Sequence, residues 1–376
     1  MSFLDLERET CEALLPGLLK RLGEVPLMEL ERSGGPGIGL FRGAGGAGLL
    51  VPKSHQGLGA TAVQAVRITR ALAACSPSVA VGTTMHQFSV ASLVALARSS
   101  TGFEWMLLEA AAVDGRLVAS GFAEGSPGRG ILTPTMTARR DGESWRVSGA
   151  KRPCSLSRSM DLLTASVAVP TDDGSTRLGV ALIPAESPGI RVEPFWSSWV
   201  LAGAESDAVI LDDVEVHPDL LVYPEIGLDG QLDDLQTIGF IWFELLVTAC
   251  YLGVAAALVE RVLKSGRGPA TERAALATAI EGAALMLDGT ARNLDDGDGG
   301  NDALGRALVV RFAAADAIAG AVRGAVELLG GMAFVTSPEV AYLAAASHAI
   351  AFHPPSRASV AAEMADWFGG RPLVLS

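Results

Sequence analysis

The apolar periodicity of this chain changes twice, and the order of the changes limits the folds open to it. Residues 1 to 115 read as helical. Leu14, Leu18, Leu19 and Leu22 share one face, and two apolar stretches of helical length, 60–72 and 85–97, are separated by Ser76-Pro77-Ser78. Between 116 and 218 the pattern becomes short runs of strand composition, at 117–122, 145–148, 162–169, 178–183 and 208–211. The turn signals Arg140-Asp141-Gly142, Asp172-Asp173-Gly174-Ser175 and Ser187-Pro188-Gly189 separate them. From 219 onward the reading is helical again, with candidates at 237–263, 270–293, 303–329 and 338–350. An acidic, glycine-rich break runs from Asp295 to Asn301. Helices, then strands, then helices predict an α+β chain that is mostly α. Its parts are an N-terminal helical domain (1–115), a central antiparallel β-barrel or sandwich (116–218) and a C-terminal helical bundle (219–376).

The 376 residues are enough to bury a sizeable core. A formal net charge of −13 without a basic patch argues against nucleic acid or an anionic membrane surface as the main partner. The four cysteines, Cys11, Cys75, Cys154 and Cys250, are far apart and form no Cys-x-x-Cys pair, so neither a disulfide framework nor a metal site is expected. The acidic N-terminus lacks a signal-peptide core, and the expected compartment is the cytoplasm. Residues 240–259 are long enough to span a bilayer, but Glu244 would be expensive in lipid and no basic flank is present. A buried bundle helix is the reading adopted.

Several passages, in order, resemble the acyl-CoA dehydrogenase superfamily over nearly the whole chain. Leu50-Val51-Pro52-Lys53-Ser54-His55-Gln56-Gly57-Leu58-Gly59 is similar to that family's Val-Pro-Glu-x-x-Gly-Gly-Leu-Gly. Val118-Ala119-Ser120-Gly121-Phe122-Ala123-Glu124 stands where the family has its flavin-facing strand, and residues 141–151 resemble the hairpin that follows. Residues 203–216 resemble the last β segment, and residues 322–331 the helix leading into a glycine pair. The resemblance implies a homotetramer or dimer with one FAD per subunit, bound between the β domain and the C-terminal helices. It puts Phe122, Ala123 and Ser155 against the flavin ring, Glu327, Gly330 and Gly331 at the pyrophosphate, and Ser356 at a further cofactor contact. The implied partner is an acyl thioester on CoA or on an acyl or peptidyl carrier protein, beside His86, Ser126 and Arg129. The implied reaction is α,β-dehydrogenation.

Three departures alter the chemical end of this pattern. The family's loop glutamate, which takes the α-proton, reads His353. The neutral glutamine before the glycines reads Glu327, and a carboxylate at about 4 Å would oppose a phosphate by roughly 4 kcal/mol. The arginine that reaches the phosphates has no clear counterpart, with Arg267 nearest. Two residues compete for the base. Glu244 lies one position beyond an alternative glutamate site used by some branches, which is about 100° around a helix. His353 has the right loop position and a side chain suited to proton transfer near neutrality. Two other readings stay open. The run Lys151-Arg152-Pro153-Cys154-Ser155 is closer to the family's flavin monooxygenases. The altered phosphate positions suit a flavin-free, acyl-binding or non-redox descendant.

Overall fold

The computed structural model describes residues 2–99, 104–125, 133–224 and 232–375. The N-terminal part consists of α1 (Asp5–Leu14), α2 (Leu18–Gly23), α3 (Leu27–Leu30), α4 (Gly37–Gly43), α5 (Ala62–Cys75), α6 (Pro77–Ser99) and α7 (Glu104–Val113). Helix α5 starts on a capping box. The Thr61 hydroxyl accepts from the Gln64 N–H, and the Gln64 side chain accepts from the Thr61 N–H. The Asp295 carboxylate accepts from the next two amides, Ala62 and Val63, and so fastens the N-terminal part to the C-terminal bundle.

The middle is one mixed sheet of β1 (Val118–Gly121), β2 (Thr137–Asp141), β3 (Ser144–Cys154), β4 (Leu162–Pro170), β5 (Thr176–Pro184), β6 (Ile190–Glu193), β7 (Asp207–Val216) and β8 (Leu221–Val222). The order is β6-β7-β3-β2-β4-β5-β8, with β1 alongside β4. Most pairings are antiparallel, and two, β1 with β4 and β2 with β4, are parallel. The β2–β3 turn relies on Gly142, whose φ of 63° is left-handed. Near its end β3 breaks register with β7, between Lys151 and Cys154. Pro153 has no N–H for the ladder and is tolerated at that bulge. Beyond the break Cys154 pairs with Asp207 of β7, and Pro153 and Ser155 on either side of it line the cavity described below.

The last part holds α8 (Asp234–Ser265), α9 (Ala270–Asp295), α10 (Asn301–Leu329), α11 (Gly331–Thr336), α12 (Pro338–Ser347) and α13 (Ala361–Phe368). Helix α8 is apolar on every side, which fits the centre of a bundle and no surface position. It packs on α5, α6, α9, α10 and α12. Helices α6 and α8 are both long and apolar enough to cross a membrane, yet 94% of the most apolar window of α8 is buried inside the fold. Asp233 caps its start by accepting from the Gln236 N–H at 2.6 Å, and Gly266 ends it in the left-handed region. At mid-helix, Gly253 lets α8 touch α5: a Cβ there would lie 2.3 Å from the Arg70 carbonyl oxygen.

Candidate active site

A cavity of about 330 Å³ lies between the sheet, α6, α8 and the segment after α12. Its sheet end is formed by Ser120 of β1 and by Phe122 and Ala123 just after it, by Pro153 in the β3 bulge and Ser155 after it, and by Trp196. The indole of Trp196 is fixed by donating to the Val200 carbonyl at 2.8 Å. The Ser155 and Ser206 hydroxyls are hydrogen-bonded at 2.9 Å. One hydrogen serves that bond, which leaves the second free to donate to a ligand. The helix end is apolar, with Met85 and Phe88 from α6 and Phe240 and Phe243 from α8. Phe88 and Phe243 meet edge to face, 5.4 Å between centroids. Among the described residues, no Asp, Glu, Lys or Arg lines the cavity.

Behind the sheet wall, Lys151 is fully buried and donates to Glu124 at 2.6 Å and to Ser166 at 2.9 Å. Glu124 also accepts from the Thr135 N–H at 2.7 Å, the Thr135 hydroxyl and the Met136 N–H at 3.2 Å. Burial alone would raise its carboxyl, but the hydrogen bonds from Lys151 and Thr135 outweigh burial and hold it at about 2.

The helix wall has its own buried ion pair. Arg311 of α10 donates to both oxygens of Glu244, at 2.8 and 3.0 Å, and both side chains are enclosed. The same guanidinium donates to the carbonyls of Ile350 at 3.3 Å, Pro354 at 3.1 Å and His353. Arg311 therefore clamps the loop that carries His353. Burial pushes Glu244 up to about 7 even with Arg311 beside it. His353 lines the cavity, 6.0 Å from Phe243 between centroids, and its Nε2 is 2.7 Å from the Tyr251 hydroxyl. Burial, aided by the charge of Arg311, lowers its imidazole to about 3.

Phe122, Ala123, Ser155 and His353 all line the one cavity, the first three from the sheet end and His353 from the loop after α12. Glu244 faces away from the cavity into its ion pair. His86 also stands elsewhere: it is fully buried, with Nε2 2.9 Å from the Ala47 carbonyl and Nδ1 accepting from the Val118 N–H at 2.9 Å. Both ring nitrogens are spent, one joining α6 to the turn at Ala47 and the other joining it to the start of β1. Burial lowers this ring to about 4. Glu327, Gly330, Gly331 and Ser356 do not line the cavity. Glu327, Gly331 and Ser356 are exposed, and Gly330 joins α10 to α11 with φ 83°. Arg267 donates to the Leu329 carbonyl beside that pair. Ser126 and Arg129 lie outside the described residues.

Sequence reasoning missed Tyr251, Arg311 and the Lys151–Glu124 pair. Tyr251 follows Glu244 by seven residues, two helical turns, so the two share a face. Arg311 is a lone cation in the apolar run 307–315 and needed a buried partner. Both signals were present in the sequence.

No family model matches the chain. The isobutylamine N-hydroxylase of Streptomyces viridifaciens is 49% identical over 376 residues, covering 99% of this chain and all of that protein. The human mitochondrial short-chain specific acyl-CoA dehydrogenase is 26% identical over 229 residues, 57% of this chain and 54% of that protein. TdsC from Paenibacillus sp. A11-2, solved with FMN bound, superposes with a TM-score of 0.81 at 18% identity, covering 99% of this chain and 98% of that one. The chain belongs to the acyl-CoA dehydrogenase-like superfamily. As a member of that superfamily it is an enzyme, and its cavity lies between the β domain and the C-terminal helices, where the resemblance puts the flavin.

Proposed function

We propose that this enzyme is a flavin-dependent monooxygenase that places one oxygen atom on the nitrogen of a small aliphatic primary amine. The observation that carries the reading is the cavity wall, which among the described residues offers hydroxyls, an amide, an imidazole and apolar surface but no carboxylate. Removing an α-proton from a thioester needs a base at the substrate. Glu244 is committed to Arg311, and His353 is held neutral with one nitrogen engaged by Tyr251. An amine has the opposite requirement. An apolar wall without a counter-charge disfavours the ammonium form and admits the neutral amine, whose lone pair is the nucleophile. The 49% identical relative, an isobutylamine N-hydroxylase, supports an amine of that size.

The residues present fit a flavin. Phe122, Pro153 and Trp196 offer apolar faces for a flat ring system, and the spare hydroxyl hydrogen of the Ser155–Ser206 pair suits a ring carbonyl or nitrogen. When bound and reduced, a flavin would supply two electrons to O2, so that one oxygen atom goes to nitrogen and the other leaves as water. The chain's own residues exclude solvent with Phe88, Phe240 and Phe243, fix the His353 loop through Arg311, and leave the amine nitrogen uncharged.

The test is turnover of isobutylamine in air by the purified protein, with FMN or FAD kept reduced by a separate flavin reductase. The expected product is the hydroxylamine, carrying one atom from 18O2 by mass spectrometry. If butyryl-CoA bleaches the bound oxidised flavin without air while no amine is oxygenated, thioester dehydrogenation replaces this reading.

A further inference from the structure

The hydrogen bond between Tyr251 and His353 can run in either direction, and burial selects one. Tyr251 lies in the middle of α8 with no exposed surface. Among the described residues, its hydroxyl has a single partner, His353 Nε2 at 2.7 Å. If Nε2 carried the proton, the tyrosine oxygen would accept it, and the tyrosine's own hydrogen would be buried with nothing to receive it. An orphaned buried donor costs about 1–3 kcal/mol. If Tyr251 donates, no polar group is orphaned, and the single proton of the neutral imidazole must sit on Nδ1.

Nδ1 makes no hydrogen bond within the described protein, and it is not one of the enclosed, unpartnered polar atoms. It is therefore open, and the space beside His353 is the cavity. The loop backbone is pinned separately, since Arg311 donates to the carbonyls of Ile350, His353 and Pro354. The charged and titratable groups around the ring are Arg311, its partner Glu244, and Tyr251. A cation beside a partly buried ring favours the neutral form.

We infer that His353 serves the cavity as a fixed hydrogen-bond donor, with its Nδ1–H held out to the ligand, and that Tyr251 is the positioning residue that sets this tautomer. The ligand atom it meets must carry a lone pair, as a carbonyl oxygen, a ring nitrogen or a neutral amine does. An ammonium ion offers none. The sequence places His353 at the position of a base, whereas this geometry makes it the reverse: a group that gives a hydrogen bond and takes no proton. The inference stands on the apoprotein and does not depend on the amine reading.

Protein labelled with 15N-histidine tests it without turnover. Five histidine spin systems are expected, and His353→Asn assigns the one in question. In the wild type, the His353 Nδ1 should resonate as protonated and Nε2 as unprotonated. In Tyr251→Phe, the fraction of His353 with Nε2 protonated should rise above that of the wild type, with the melting temperature recorded to show that the fold persists. A wild-type Nε2 that is protonated would overturn the proposal, whether or not the variant folds. An unchanged tautomer in a folded Tyr251→Phe would remove Tyr251 from it. Isobutyronitrile accepts hydrogen bonds but donates none. At saturation, measured by calorimetry, it should shift the Nδ1–H resonance in the wild type. Saturable binding with no shift would end the claim that this donor meets the ligand.

Discussion

Glu124 and Glu244 are both carboxylates turned inward against a buried cation, one in the β domain and one in the helical bundle, and the two environments drive them apart. Glu124 receives hydrogen bonds from Lys151, from two groups of Thr135 and from the Met136 N–H, and its carboxyl falls to about 2. Glu244 is fully enclosed and shares its one partner, Arg311, with three backbone carbonyls, and its carboxyl rises to about 7. A cation nearby does not by itself keep a carboxylate ionised. The number of donors that replace lost water decides the outcome. This is why the glutamate that sequence reasoning nominated as a base does structural work, although its proton affinity is suitable for catalysis.

The largest expected effect separates the two cations. Arg311→Met leaves Glu244 without its counter-ion and three carbonyls without a donor, and should destabilise the fold by about 3–5 kcal/mol. Lys151→Met leaves Glu124 with its other donors and a side chain that is 10% exposed, so about 1–2 kcal/mol is expected. Urea unfolding of both variants measures the difference. Equal losses would break the comparison.

A pH series sharpens it. Glu244 has a folded value above its unfolded value of 4.5, so the folded state keeps a proton that the unfolded chain has already lost. Its contribution is most favourable below about pH 4.5, and about 3 kcal/mol is lost as pH rises to about 7. Glu124 has a depressed folded value, so its contribution is present above pH 4.5 and lost as pH falls toward 2. Glu244→Gln should flatten the neutral limb and leave the acid limb in place, and Glu124→Gln should do the reverse. A neutral limb unchanged in Glu244→Gln would contradict the assignment.

The smallest effect concerns the cavity itself. A Cβ at Gly239 would lie 2.7 Å from the Ser92 hydroxyl, which can rotate away. Gly239→Ala should therefore change stability by less than about 1 kcal/mol. It should also lower kcat/KM for hexylamine more than for isobutylamine, because Gly239 and Ser92 both line the cavity. Equal changes for the two amines would show that this position does not set length.

The helix–sheet–helix order was legible because α5, α6, α8 and α10 carry long apolar periods and the β segments carry turn signals. β2, β6 and β8 were not: β2 is Thr137-Ala138-Arg139-Arg140-Asp141, a mostly exposed polar strand, and β8 has two residues. At the site, Phe122, Ala123, Ser155 and His353 were legible through the order of the resembling motifs. Glu244 and His86 were misplaced for one reason. A sequence shows that a polar side chain sits in an apolar helix, but not whether its partner is a ligand or the protein. Arg311 is 67 residues from Glu244, and Ala47 is 39 from His86.

The contact at Gly253 has a mechanical consequence. At Gly253 the backbone of α8 lies against the Arg70 carbonyl and the Ala73 methyl of α5, and a tilt of α8 would turn about that close contact. Gly239 is 14 residues away, about 21 Å along the axis, so a tilt of about 5° would carry the cavity end sideways by about 2 Å. Tyr251, two residues from that contact, would hardly move. A tilt of α8 about Gly253 would therefore widen or narrow the cavity at Gly239 while Tyr251, and the His353 ring it holds, stay in place.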